Sequence, residues 1–140
     1  MIAPVFVDTN VLLYAVSTAS AEVAKASVAR DLLEADDLAL SVQVLQEFYV
    51  NVTRKIARPI SKASARQVVN SYSLWCIETT ATELATAFRI EDDSRIGFWD
   101  ALIIAAALKS GASQILSEDL NAGQRLAGIR IVNPFAKTTG

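Results

Sequence analysis

The stretch Ala3-Pro4-Val5-Phe6-Val7-Asp8-Thr9-Asn10-Val11-Leu12-Leu13-Tyr14-Ala15 decides how this chain is read. Residues 3–7 form a short apolar run without polar alternation, as expected of a strand buried on both faces. The run stops at Asp8-Thr9-Asn10, residue types that cap helices well, and the apolar segment beyond reads as a helix. A strand, an acid at its carboxyl end and then a helix is the place where open α/β sheets hold ligands.

Working outward, the same alternation recurs. Residues 21–35 read as an amphipathic helix, with Ala24, Val28 and Leu32 in one row, Ala29 and Leu33 beside it, and Glu22, Lys25, Arg30 and Glu34 towards water. Residues 38–41 are a second strand. Residues 42–57 are a helix packing through Leu45, Phe48, Val52 and Ile56, with Glu47 at the edge of that face. Ser61 caps a helix running to about residue 72. Residues 74–78 make a third strand that carries Cys76 as a core residue. Thr80 and Glu83 stand in the positions of a capping box for a helix over 80–90, and Glu91-Asp92-Asp93-Ser94 follows as an acidic loop. Residues 114–117 and 129–132 are the fourth and fifth strands, and a polar tail follows Asn133-Pro134. Strands separated by helices imply parallel pairing with helices on both faces. The expected fold is therefore an α/β three-layer sandwich with a central, mainly parallel five-stranded sheet, in one domain over residues 1–140.

The stretch Phe98-Trp99-Asp100-Ala101-Leu102-Ile103-Ile104-Ala105-Ala106-Ala107-Leu108 reads as a helix that is apolar all round, so it is expected to be buried. Asp100 is its one carboxylate. Its helical neighbours Ile103, Ile104 and Ala107 are apolar, so the charge must be paired, metal-bound or protonated, or else sit in the first turn where the helix dipole favours an acid. Lys109, Ser110 and Gly111 close the helix.

Composition narrows the chemistry. The chain has 140 residues and no histidine, which removes Ser-His-Asp hydrolysis, histidine-based acid–base cleavage of RNA and His-containing zinc sites. A net charge of −2 gives no general attraction to polyanions. The local exception is the stretch carrying Arg54, Lys55, Arg58, Lys62 and Arg66 without an acid, which reads as a solvated face or as a phosphate contact. The single cysteine cannot form an internal disulfide, the start of the chain lacks a cationic signal segment, and no apolar run is long enough to span a bilayer. A cytoplasmic location and no membrane contact are expected.

Asp8 and Asp119 both follow the ends of short apolar strands, which a parallel sheet places on one edge. Asp100 and Glu47 can approach the same edge from their helices. Gathered carboxylates repel one another unless a hard divalent cation, Mg²⁺ or Mn²⁺, compensates them. Such an ion polarises a phosphoryl oxygen or activates a water, chemistry open to a protein without histidine.

Four motifs in order carry a resemblance. Val7-Asp8-Thr9-Asn10-Val11-Leu12, Gln46-Glu47-Phe48, Phe98-Trp99-Asp100-Ala101-Leu102-Ile103-Ile104 and Leu116-Ser117-Glu118-Asp119-Leu120 resemble the four motifs of the PIN domain family, and the length is similar to its small VapC-type toxins. The resemblance implies a metal-dependent endoribonuclease that forms a homodimer and is held by a VapB-like antitoxin. It further implies that Asp8, Glu47, Asp100 and Asp119 are catalytic metal ligands and that Asn10 and Ser117 support them. Asp119 is chosen over the adjacent Glu118 from motif position only. Arg54, Lys55 and Arg58 are candidates for RNA phosphate contact. A PIN-like module that binds RNA or protein without cutting, and a housekeeping RNA-processing nuclease, stand as alternatives. A phosphatase of the haloacid dehalogenase type would need a second aspartate where Asn10 stands. A receiver module would need an adjacent pair of early acids that is missing here.

Overall fold

The structure, a computed structural model, describes residues 3–120 and 122–136. Six strands form one sheet in the order β3-β2-β1-β4-β6-β5. They are β1 (Val5–Val7), β2 (Leu38–Ser41), β3 (Cys76–Ile77), β4 (Gln114–Leu116), β5 (Arg125–Leu126) and β6 (Ile129–Val132). β1 pairs in parallel with β2 on one side and β4 on the other, β2 with β3 and β4 with β6, while β5 runs antiparallel to β6. The residues that made β1 and β2 readable as strands are those the sheet buries: Phe6, Val7 and Leu40 are fully enclosed, and all of β2 is buried.

The helices are α1 (Thr9–Ala15), α2 (Val23–Leu32), α3 (Val42–Val50), α4 (Lys62–Tyr72), α5 (Ala81–Ser94) and α6 (Phe98–Ser110). The chain winds outward from β1 through β2 to β3 and then returns across the sheet to β4. Right-handed crossovers in opposite directions put the intervening helices on opposite faces, which makes the three layers. α6 spans the sheet against β2, β3, β4 and β6, with α5 packed along it, while α1 packs with α2 and α3. α6 lies close to the sheet because its inner side is small: Ala101, Ala105, Ala106 and Ala107 are all buried.

The structure differs from the sequence reading in several places. The sheet has six strands, the sixth being β5, joined to β6 through Ala127 (φ 53°) and Gly128 (φ 84°). A two-residue turn of the type that suits a hairpin requires positive φ at both positions, and Ala-Gly is a weak signature for it. The helix expected over 21–35 opens with a 3₁₀ turn, Ser20–Glu22, and its inner row is Ala26, Ala29 and Leu33, with Ala24 exposed. The helix expected over 42–57 is α-helical only to Val50, then widens into a π-helical turn, Asn51–Lys55. The third strand shrinks to Cys76–Ile77 because Ser73–Trp75 form a 3₁₀ turn; Leu74 is 87% exposed, and Cys76 is half-buried rather than core. Glu91, Asp92 and Asp93 lie inside α5, which continues to Ser94 and closes on Arg95 at φ 54°. The capping box of Thr80 and Glu83 is present. α6 is buried through its centre but not at its start, where Trp99 and Asp100 are exposed. The polar tail falls partly on residues 137–140, outside the described residues. Among the described residues no single helix is long and apolar enough to cross a membrane.

Candidate active site

The strand order reverses direction between β1 and β4, so the ends of these two neighbours open a crevice at the switch point of the sheet. Asp8 stands immediately past β1, its backbone N–H bonded to the carbonyl of Leu116 at the end of β4 (3.0 Å). It is the N-cap of α1 and is only 7% exposed. One carboxylate oxygen accepts the Thr9 backbone N–H (2.8 Å), and the other accepts the Ser117 hydroxyl (2.7 Å). Burial raises its pKa to about 6; the bonds from Ser117 and Thr9 oppose the rise, and the charges of Glu47 and Asp119 add to it.

Ser117 is completely buried. While its hydroxyl donates to Asp8, its oxygen accepts the backbone N–H groups of Asp119 (3.1 Å) and Leu120 (3.2 Å), which shapes the turn after β4. Asn10, in the first turn of α1, donates from its amide to Asp119 (3.2 Å) and accepts the Glu118 backbone N–H (3.1 Å). The side chains of Ser117 and Asn10 thus tie the ends of β1 and β4 together and hold Asp119 beside Asp8.

Glu118 goes elsewhere. Its carboxylate accepts bonds from the Tyr14 hydroxyl and from Lys25 (2.6 Å). Burial pushes its pKa up, but the Lys25 and Tyr14 bonds and the Lys25 charge outweigh that and hold it below the usual carboxylate range. Of the two adjacent acids, Asp119 meets Asn10 and Glu118 is neutralised by a lysine 93 residues away in sequence.

Glu47 reaches the crevice from α3, which starts directly after β2 and is capped by Ser41. The Thr9 hydroxyl donates to one of its oxygens (3.3 Å) and the Gln43 amide to the other (2.9 Å). The same Gln43 nitrogen also donates to the Trp99 carbonyl (3.2 Å), linking α3 to the start of α6. Asp100, in the first turn of α6, is raised above the usual carboxylate range by partial burial and by the charge of Asp119. It sits at the exposed mouth of the crevice, so of the two readings of its position the first-turn acid holds and the buried charge does not.

Asp8, Glu47, Asp100 and Asp119 therefore come from four separate elements and influence one another electrostatically. Their donor atoms are all oxygen, the kind a hard divalent cation takes. Among the described residues, though, no three Asp, Glu, His or Cys side chains stand close enough to cage an ion by themselves. The set suits an ion held by one or two carboxylates, with water or substrate oxygens completing it. Arg54, Lys55 and Arg58 are exposed and make no ion pair with these acids among the described residues; Arg58 lines a separate recess of about 310 Å³ with Ser17, Thr18 and Glu22. Sequence reading missed Thr9, taken only as a cap, and Gln43. The latter carried a usable signal, four residues before Glu47 on one helix face.

An α/β sheet with acids at its switch point defines a broad class, and comparison narrows it. The PIN domain family profile matches residues 5–128, and the chain belongs to that family. Its fold is similar to VapBC2 from Rickettsia felis, solved bound to a DNA fragment from its promoter (TM-score 0.63, 17% identity, covering 92% of this chain and 97% of that one). It is also similar to VapC20 from Mycobacterium tuberculosis, described as a Sarcin-Ricin loop cleaving toxin (TM-score 0.63, 20% identity, 90% and 98%). A third likeness is FitAcB from Neisseria gonorrhoeae (TM-score 0.57, 15% identity, 94% and 99%). No curated protein matches the chain.

Proposed function

We propose that this chain is a VapC-type endoribonuclease dependent on Mg²⁺ or Mn²⁺, acting in the cytoplasm as a homodimer held in check by a VapB-like antitoxin. The observation that carries the reading is the Asp8–Ser117–Asn10–Asp119 network, which spends two buried polar side chains on holding two acids together at the switch point. Nothing in the stability of the fold asks for such a gathering of like charges. The family and the VapC-type neighbours point the same way.

In this reading Asp8, Asp100 and Asp119 hold the ion, and Glu47 holds it directly or through water. When bound, the ion supplies charge to polarise a phosphoryl oxygen and to activate a water for attack on the phosphodiester. The protein's own part is positioning. Thr9 and Ser117 fix both oxygens of Asp8, so its carboxylate cannot rotate. Asn10 orients Asp119, and Thr9 with Gln43 orients Glu47. These supporting groups act through the ligands, as outer partners of metal sites do. Arg54, Lys55 and Arg58, exposed along and after the turn that continues α3, would hold phosphates away from the scissile bond.

The test is cleavage of a labelled RNA pool with Mg²⁺, with Mn²⁺ and with EDTA, beside Asp8→Asn and Asp100→Asn. Cutting is expected only with metal, and each variant should lose more than about 100-fold, beyond what loss of an outer partner costs. Cutting in EDTA would sink the metal dependence, and wild-type rates in either variant would sink the assignment of that acid.

A further inference from the structure

Trp99 is 68% exposed, although tryptophan is an expensive side chain to leave in water. It is nonetheless supported on one side. Its ring meets the edge of Phe98 (centroids 5.1 Å apart), which packs on Phe88 (5.8 Å), and its backbone carbonyl accepts the Gln43 amide. The backbone of Trp99 is thus anchored, its ring rests on Phe98, and most of the indole is presented to solvent one residue before Asp100.

That indole is one wall of a cleft of about 440 Å³, whose other walls are Gln43, Gln46 and Glu47. The volume lies within the range of small-ligand sites, roughly 300–1,000 Å³. No cation lines the cleft and a carboxylate does, so a phosphate or an acidic peptide is repelled. The Gln46 side chain is exposed and makes no hydrogen bond among the described residues, leaving an acceptor and two donors for a ligand. The Gln43 NH₂ faces two acceptors, Glu47 and the Trp99 carbonyl, so its orientation is fixed; its buried oxygen has no partner. A flat face, the free Gln46 amide and no positive charge fit a neutral, planar ligand with a hydrogen-bonding edge.

We infer that this cleft receives an unpaired RNA base next to the scissile phosphate, with Trp99 stacking on the base and Gln46 reading its edge. The inference rests on the nuclease reading above and adds to it a determinant of where the cut falls. Stacking on an aromatic side chain is the usual way single-stranded RNA is gripped, and it works for any base; edge contacts supply the selectivity.

The test reads binding and cutting separately. Trp75→Phe leaves Trp99 as the sole tryptophan, and single-stranded oligoribonucleotide is titrated in EDTA while fluorescence is followed. Single-stranded RNA is expected to quench Trp99, and duplex RNA of equal length is not. Trp99→Ala should weaken binding by roughly 10-fold, the loss of one stacked base, while Trp99→Phe stays within about threefold of wild type. With metal present, Gln46→Ala should relax base preference at one position beside the cut. If Trp99→Ala binds and cuts as wild type does, at the same sites, the inference falls and the nuclease reading stands. If the wild type neither binds nor cuts RNA, both fall. If Trp99→Ala keeps its RNA affinity but changes the sedimenting species, the exposed indole belongs to a protein interface and the inference is overturned.

Discussion

Asp8 carries the largest electrostatic consequence of any single residue. Its pKa, about 6 in the folded protein against an ordinary 3.8, means that the folded state holds this proton more tightly than the unfolded chain. Stability therefore falls as pH rises from about 4 to about 6, and the full cost, on the order of 3 kcal/mol, persists above that window. Thermal melts in EDTA should show it, and Asp8→Asn should abolish it: the variant melts higher than wild type at pH 8 and close to it at pH 4. A variant less stable at pH 8 would mean that the capping and hydroxyl bonds outweigh the buried charge. Ser117→Ala acts in the opposite sense. It removes a donor that lowers the Asp8 pKa and an acceptor for two backbone N–H groups, so a loss of about 1–3 kcal/mol is expected at pH 7, read from denaturant midpoints. At this scale the sequence was informative about Asp8 and Asp119, because strand ends are visible in an apolar run. It was silent on Glu118, whose neutralising lysine lies 93 residues away. It left Asp100 open between a buried charge and a first-turn acid, and the structure shows the latter, since whether a helix end is covered depends on what packs over it and not on the helix's own composition.

Elements were legible where hydrophobic pattern alone specifies them, and blurred where backbone geometry does. β1, β2 and β4 are short, largely apolar runs fixed by burial, β6 alternates Ile129 and Ile131 inward with Arg130 outward, and Ser61, the Thr80–Glu83 box and Gly111 mark the starts of α4 and α5 and the end of α6. The π-helical turn after α3 and the shortened β3 leave no compositional mark. The β5–β6 hairpin was missed because Ala127 occupies a left-handed position that an L-residue with a Cβ disfavours. That makes it a place to gain stability. Ala127→Gly should stabilise the fold by about 1 kcal/mol, with cleavage unchanged, when midpoints in urea are compared. No gain would show that the greater freedom of glycine in the unfolded chain cancels the relief. On α6, Ala107 is fully buried, and Ala107→Leu should cost about 1–3 kcal/mol through overpacking, at the opposite end of the helix from Asp100.

At the level of the whole molecule, four acids drawn from a strand end, two helices and a late turn make the fold and the site one problem. Mg²⁺ or Mn²⁺ binding should raise the melting temperature of the wild type, by about 2.7 kcal/mol of stability at 100 times the dissociation constant, and should do so far less in Asp8→Asn. Equal shifts in both proteins would place the ion elsewhere. The strand order also governs timing. The first strand is complete at Val7, yet the bond that fixes Asp8 comes from Ser117, 109 residues later. Contacts of such long separation are made slowly and late. The crevice therefore cannot form until Ser117 has been made, and a fragment that stops short of it would hold β1 and its acid without the partner that fixes them.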